Sequence, residues 1–289
     1  MAKRYIVLGA KGQLGQALSR RLKSEGSDVV EADREECDIA DGSSVVSFIE
    51  RHQAAEALFN AAAFTAVDNA EEKADQAMAI NGIGAGYVAA ACASHQVRLI
   101  HFSTDFVFGD GHVEPIDELA KPEPLSVYGE SKWAGEKLAL QNCDATAVIR
   151  SSGLYSAWGE NFVRSIAHYA REKGEIEVVA DQVVGPTPVT RLAEVAVALA
   201  TERLFVGGVY HGTAQGNCSW YEFAKAIVET LGIEAAVKKT TAEAWGAPAR
   251  RPEYSVLENR RLRAMGLDFF EHWRDHLEEF LEENQELFR

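Results

Sequence analysis

Four apolar residues, Tyr5-Ile-Val-Leu8, run without a break into Gly9-Ala-Lys11-Gly12-Gln13-Leu14-Gly15, after which Leu14, Ala17, Leu18 and Leu22 recur at helical spacing. A strand, a glycine turn and a helix in that order leave few folds open. Glycines at such a turn let the backbone bend tightly and approach a pyrophosphate, and the helix N-terminus behind it favours an anion. The expected fold class is α/β: a Rossmann-type, doubly wound, mainly parallel sheet. Gly9, Lys11, Gly12, Gln13, Leu14 and Gly15 are the candidate residues around a dinucleotide diphosphate.

The next apolar run, Asp28-Val-Val-Glu-Ala32, ends at Asp33-Arg34. An acid there can accept both ribose hydroxyls of an adenosine, whereas the adjoining Arg can pair with a 2′-phosphate. The two signals oppose each other, so NADPH and NADH both remain open. Asp38-Ile39 leads into a helix expected from Gly42 to about His52, and the strand Ala57–Asn60 runs into Ala61, Ala62 and Ala63. Small residues after a strand permit close approach of a ring or a ribose. A long helical pattern from about Ala70 to His95 carries Asn81-Gly82, two poor helix formers, at its middle. Such a site marks a carbonyl freed for a side chain or water.

The chemistry-bearing pattern comes next. Val97-Arg-Leu-Ile-His-Phe102 reads as a buried parallel strand delivering Ser103 and Thr104 to its carboxyl end, where ligands of open α/β sheets gather. Tyr128 and Lys132 follow at i and i+4, so they share one helix face, and an ammonium close to a phenol favours its phenolate. That spacing occurs twice more, at Tyr169/Lys173 and Tyr221/Lys225. Only Tyr128 follows the strand with the two hydroxyls, and this position selects it as the proton donor.

After a fifth strand, Ala145–Arg150, the rhythm changes to helices at Phe162–Glu172, Leu192–Leu204 and Trp220–Leu231, strands at Glu175–Val179 and Gly208–His211, and an amphipathic tail from Phe270 to Phe288. The expected division is residues 1–151 with 189–213 as the dinucleotide-binding domain, and 152–188 with 214–289 as a smaller α+β substrate-binding cap. The formal charge of -15 argues against nucleic acid or an acidic membrane surface as partner. Cys37, Cys92, Cys143 and Cys218 lack the spacing of a zinc site or a disulfide framework, so no metal is expected. Met-Ala-Lys-Arg enters the first strand directly, which makes the cytoplasm the expected location.

With these motifs in view, the chain resembles extended short-chain dehydrogenase/reductases, and among them the dTDP-4-dehydrorhamnose reductases, from residue 4 to about residue 285. The specific pieces are Asn60–Glu71, Ser103-Thr-Asp-Phe-Val-Phe108, Pro124–Glu136, Asp181–Thr187 and Arg251–Leu257. The resemblance implies reduction of the 4-keto group of a dTDP-6-deoxyhexulose by hydride from NADPH or NADH. Tyr128 would protonate the forming alkoxide, Lys132 would lower the Tyr pKa and hold the nicotinamide ribose, and Thr104 would hydrogen-bond the same oxygen. Thr65, Val67, Thr104, Asp105, Phe106, Gly153, Trp158 and Arg251 are the residues expected to meet the dTDP-sugar.

Two positions depart from the family. Phe106 stands where Tyr is usual, and Gly153 where a Trp would flank the sugar. An aromatic of the same loop, Trp158 by preference or Tyr155, is expected to return over the pocket in its place; a pocket open to a bulkier sugar and slower turnover of the rhamnose precursor are the alternatives. Asp105 is followed by Phe106 where sugar-nucleotide dehydratases carry Glu, which disfavours dehydration. Other nucleotide-sugar ketoreduction or epimerisation, a non-catalytic NAD(P)-binding subunit on the same fold, and a homodimer stay open.

Overall fold

The computed structural model describes residues 2–288. Strands and helices alternate through the first half: β1 (Arg4–Leu8), α1 (Gln13–Ser24), β2 (Asp28–Ala32), α2 (Gly42–Arg51), β3 (Ala57–Asn60) and α3 (Val67–Glu72). A long helix follows, built of α4 (Ala74–Ala77), a π-helical stretch (Met78–Gly84) and α5 (Ala85–Ser94). Next come β4 (Arg98–Thr104), α6 (Val127–Asn142) and β5 (Thr146–Ser151). The second half holds β6 (Leu154–Tyr155), α7 (Phe162–Lys173), β7 (Glu175–Val179), β8 (Val183–Val184), β9 (Thr187–Pro188), α8 (Val189–Thr201), β10 (Gly208–His211) and β11 (Cys218–Ser219). It closes with α9 (Trp220–Thr230), β12 (Ala236–Thr240), α10 (Ala242–Trp245), α11 (Arg260–Ala264) and α12 (Trp273–Glu283).

Six strands form one sheet in the order β2-β1-β3-β4-β5-β10, every neighbouring pair parallel. Such a sheet is covered on both faces, and β1 shows how the sequence meets that demand. Tyr5 and Val7 enter one core with Leu18 and Leu22 of α1, while Ile6 and Leu8 enter the opposite core with Val45, Phe48 and Ile49 of α2. Successive side chains on a strand point to opposite faces, so an unbroken apolar run is what a doubly covered strand requires. Strand order reverses direction at β1 and β3, and their carboxyl ends open a crevice there.

A third core lies outside the sheet, where Tyr155, Phe223, Trp273, Leu277 and Phe280 pack from β6, α9 and α12. There β7 alternates exposed and buried as expected, and its ladder partner is β12, whose Ala-Val-Lys-Lys-Thr carries no strand signature. The helix expected from Leu192 to Leu204 instead begins at Val189, directly after Pro188, whose fixed φ suits a helix start, and it ends at Thr201.

The Asn81-Gly82 irregularity is the π-helical stretch, one residue too many for an α-turn. Length and apolar composition would let Ala74–Ser94 cross a membrane. Its packing gives another reason for that composition: Val88, Ala89 and Cys92 are buried against the core beneath α2.

Candidate active site

The glycine turn closes against β3. Gly9 has φ +73°, and a Cβ there would stand 2.7 Å from Ala62 N. A Cβ on Gly15 would stand 2.1 Å from Gly9 O. Both glycines are thus demanded by the chain's own packing. Gly12 serves the other purpose: it precedes α1, whose first turn has no side-chain cap and no acidic residue. The unpartnered N–H groups of that turn are a cradle for an anion and fit a dinucleotide diphosphate. Leu14 is a core residue, and the Gln13 amide is engaged, accepting from Ser156 Oγ at 2.7 Å and donating to Glu160 O at 3.1 Å.

At the end of β2, Asp33 accepts from Lys11 N at 3.2 Å and pairs with Lys11 Nζ at 3.7 Å. Arg34 is exposed and its Nε lies 3.1 Å from Asp38 Oδ2. Ile39 is buried in the core on the α2 face. Asn60 ends β3 fully enclosed, with Nδ2 3.3 Å from His101 Nδ1, while Ala61, Ala62 and Ala63 continue along the crevice.

The neighbouring strand, β4, delivers Thr104 to the same edge of the sheet. Ser126 caps α6 by accepting from Gly129 N, and Glu71 of α3 accepts from Val127 N at 3.0 Å, so the helix start that carries Tyr128 is held from two sides. The Phe106 ring meets Tyr128 edge-on at 5.9 Å. Burial, the largest influence, pushes the Tyr128 phenol up to about 12, with Thr104 acting in the opposite direction.

This corrects the expected pairing. Tyr128 and Lys132 do share a face of α6, but Lys132 Nζ donates to Phe102 O of β4 at 2.6 Å, and burial lowers its pKa to about 8. A buried ammonium takes the acceptor that desolvation leaves it, here a strand carbonyl.

Asn81 belongs to this site and was legible only as a weak helix former. Its Oδ1 accepts from Phe64 N at 2.8 Å, and its Nδ2 donates to Phe64 O and to Ser131 Oγ, each at 3.0 Å. The Asn81 amide therefore clips the segment leaving β3 to α6 between Tyr128 and Lys132. The other two Tyr/Lys pairs lie elsewhere. Tyr169 is largely exposed, with Lys173 Nζ 4.9 Å over its ring, and Lys225 pairs with Glu229.

The residues expected to meet the sugar separate into three groups. Thr65 is exposed and Val67 half-buried at the start of α3, and Arg251 reaches the same helix, where its guanidinium is held bidentately by Asp68 at 3.0 and 2.9 Å. Asp105 is buried among hydroxyls, within hydrogen-bond distance of Thr104, Ser152 and Ser255. Trp158 does not return over the pocket either. Its Nε1 donates to Gln13 O at 2.9 Å and Arg20 lies 4.3 Å over its ring, which fastens the loop to α1.

The space at Gly153 is filled from a different direction. Gly153 has φ +56°, and a Cβ there would meet Pro186 Cα at 3.1 Å and the Trp220 ring at 3.5 Å. Glycine is required by this conformation. The indole beside it comes from the first residue of α9 and rests on Phe162 at 4.6 Å. No local signal joins Trp220 to Gly153, because the contact exists only once the third core has formed.

Comparison with known proteins agrees with this geometry. The family model described as RmlD substrate binding domain matches residues 3–286. The chain is 39% identical to the spore coat polysaccharide biosynthesis protein SpsK of Bacillus subtilis, over 97% of both chains. It is 38% identical to a dTDP-4-dehydrorhamnose reductase of Streptomyces griseus, over 96% of this chain and 92% of that one. A dTDP-4-dehydrorhamnose reductase of Bacillus anthracis, solved in complex with NADP, superposes with TM-score 0.94 at 37% identity, covering 98% of this chain and 100% of that one. A UDP-glucose 4-epimerase of Thermus thermophilus shares the fold at 20% identity and TM-score 0.82.

Proposed function

The chain belongs to the RmlD substrate binding domain family, and on that premise we propose that it reduces the 4-keto group of a dTDP-6-deoxyhexulose of the dTDP-4-dehydrorhamnose type. The observation that carries this reading is the meeting of Thr104 and Tyr128 at the carboxyl end of β4, on the edge where the uncapped α1 turn opens. NADPH or NADH, when bound, supplies hydride to the keto carbon. Residues 1–151 with 189–213 hold that cofactor, and 152–188 with 214–289 close over the sugar.

The rest is work for the chain's own groups. As hydride reaches the carbon, charge builds on the keto oxygen, and donors already aimed there stabilise the transition state more than the ground state. Tyr128, protonated throughout the neutral range, gives its proton to that oxygen. Thr104 hydrogen-bonds the same atom, and Lys132 adds a positive charge beneath both. Phe106 and Trp220 wall the site and restrict water. The test is oxidation of NADPH or NADH by purified protein given a dTDP-4-keto-6-deoxyhexose; cofactor binding with no oxidation would instead identify a non-catalytic subunit.

Two further results are expected. Trp220→Ala removes the flat surface beside Gly153, and KM for the dTDP-4-keto sugar should rise roughly three- to tenfold, the size of one lost aromatic contact, with kcat nearly kept. An unchanged KM would remove Trp220 from the sugar site. Asp33→Ala removes the group that repels a 2′-phosphate and releases Lys11, while Arg34 can turn from Asp38 to pair with that phosphate, so the NADPH to NADH ratio of kcat/KM should increase. A constant ratio would show that the adenosine ribose lies elsewhere.

A further inference from the structure

Two carboxyl groups near the site are buried to similar depth, and only one has a cation. Glu136 is held bidentately by Arg150. Asp105, 3% exposed, has three hydroxyls instead: Thr104 Oγ1 at 3.0 Å from Oδ1, and Ser152 Oγ at 2.8 Å and Ser255 Oγ at 2.6 Å from Oδ2. Among the described residues no Lys, Arg or His pairs with it, since Lys132 is turned to Phe102 O and Arg150 to Glu136. A carboxylate removed from water without a counter-charge costs several kcal/mol, which neutral hydroxyl donors offset only in part.

Hydrogen counting at Thr104 gives the consequence. A hydroxyl has one proton and two acceptor positions. Phe106 N already donates to Thr104 Oγ1 at 3.2 Å. If Asp105 were ionised, the single Thr104 proton would be directed to Oδ1, and Thr104 would have nothing to donate to a ketone, which can only accept. If Oδ1 carries a proton, it donates to Thr104, both acceptor positions are filled, and the Thr104 proton must point outward.

We propose that Asp105 is a positioning residue acting as a neutral carboxylic acid, donating to Thr104 so that the Thr104 hydroxyl faces the substrate's keto oxygen as a donor. Burial raises the Asp105 pKa against the lowering influence of its three hydroxyl partners, in the direction this requires. Asp105 transfers nothing: the bound nicotinamide would supply hydride to carbon, Tyr128 gives its proton to oxygen, and the Asp105 proton stays where it is. The same acid, through Ser255, ties Thr104 to the segment that carries Arg251.

The inference rests on the ketoreductase reading, and the experiment separates the two. Infrared spectra of the purified protein at neutral pH should contain the carbonyl band of a protonated carboxylic acid that disappears in Asp105→Asn and survives in Tyr128→Phe. Asp105→Ala should lower kcat about a hundredfold, the cost of one misdirected oxyanion donor. Asp105→Asn, whose amide N–H can donate to Thr104 while its oxygen accepts from both serines, should recover at least about tenfold of that loss. A missing band, or an Asn variant as slow as the Ala variant while folded by circular dichroism, overturns the proposal. Absence of turnover in the parent protein overturns the ketoreductase reading, while the band still decides the Asp105 proton.

Discussion

Tyr128→Phe is expected to lower kcat at least about a hundredfold, the usual contribution of a general acid, with little change in cofactor affinity. The substitution keeps the ring that meets Phe106 at 5.9 Å and removes only the oxygen. The loss therefore reports on the proton and not on packing. Because the phenol stands at about 12, the group is already in its acid form at neutral pH, the state reduction needs. Its weakness as an acid is the part the transition state must overcome, as charge accumulates on the keto oxygen beside it. Tyr169→Phe and Tyr221→Phe should leave turnover within twofold or so, since neither residue approaches β4. Loss of turnover in either of those variants, with Tyr128→Phe active, would place the chemistry on the wrong helix.

The second large effect concerns stability. Glu136→Ala should destabilise the fold by about 3–5 kcal/mol, the cost of stranding one member of a buried ion pair. Arg150 Nη2 lies 2.7 Å from Glu136 Oε2 and both side chains are almost fully enclosed. The guanidinium has further partners, though none can replace a carboxylate: the Phe108 ring is 5.0 Å away, and His211 Nε2 lies 3.4 Å from Nη1. Burial and the Arg150 charge hold the His211 pKa down to about 3, so that ring is neutral. With Nδ1 3.0 Å from Ile116 O, Nδ1 carries the proton and Nε2 accepts from Arg150. The pair joins α6 to β5, so its loss should also loosen the helix carrying Tyr128 and Lys132. Denaturant midpoints are the measurement. A joint Glu136→Met/Arg150→Met variant should regain much of the loss, because well-packed apolar residues can replace a buried pair. A single variant as stable as the parent would mean that water reaches the pair.

The strands β1 to β5 and most helices between them were legible because each must satisfy a local periodicity. The segment expected as one helix from about Ala70 to His95 is instead broken at Lys73, which ends α3. A short apolar run, four residues in β1 and two or three in the other strands, marks a strand covered by helices, and apolar residues three and four apart mark a helix covered on one face. The glycine turn was legible for a similar reason, as was the place of Tyr128 at the start of a helix that follows the strand ending in Thr104. Even the π-helical stretch announced itself through Asn81 and Gly82.

Contacts across the chain left no such trace. Trp158 was expected over the sugar and is fastened to α1; the aromatic beside Gly153 is Trp220, delivered by a core that assembles from β6, α7, α9 and α12. Asp105 was expected to touch substrate and instead bonds Ser255, 150 positions away. Lys132 was placed correctly on its helix face, yet its ammonium chose a carbonyl of β4 over the phenol one turn back. Local sequence determined which face of an element each side chain occupies, because backbone geometry repeats every two or 3.6 residues. Which partner waits there was decided by the packing of the whole chain, since a buried polar group takes the hydrogen bond that the surrounding elements leave open to it.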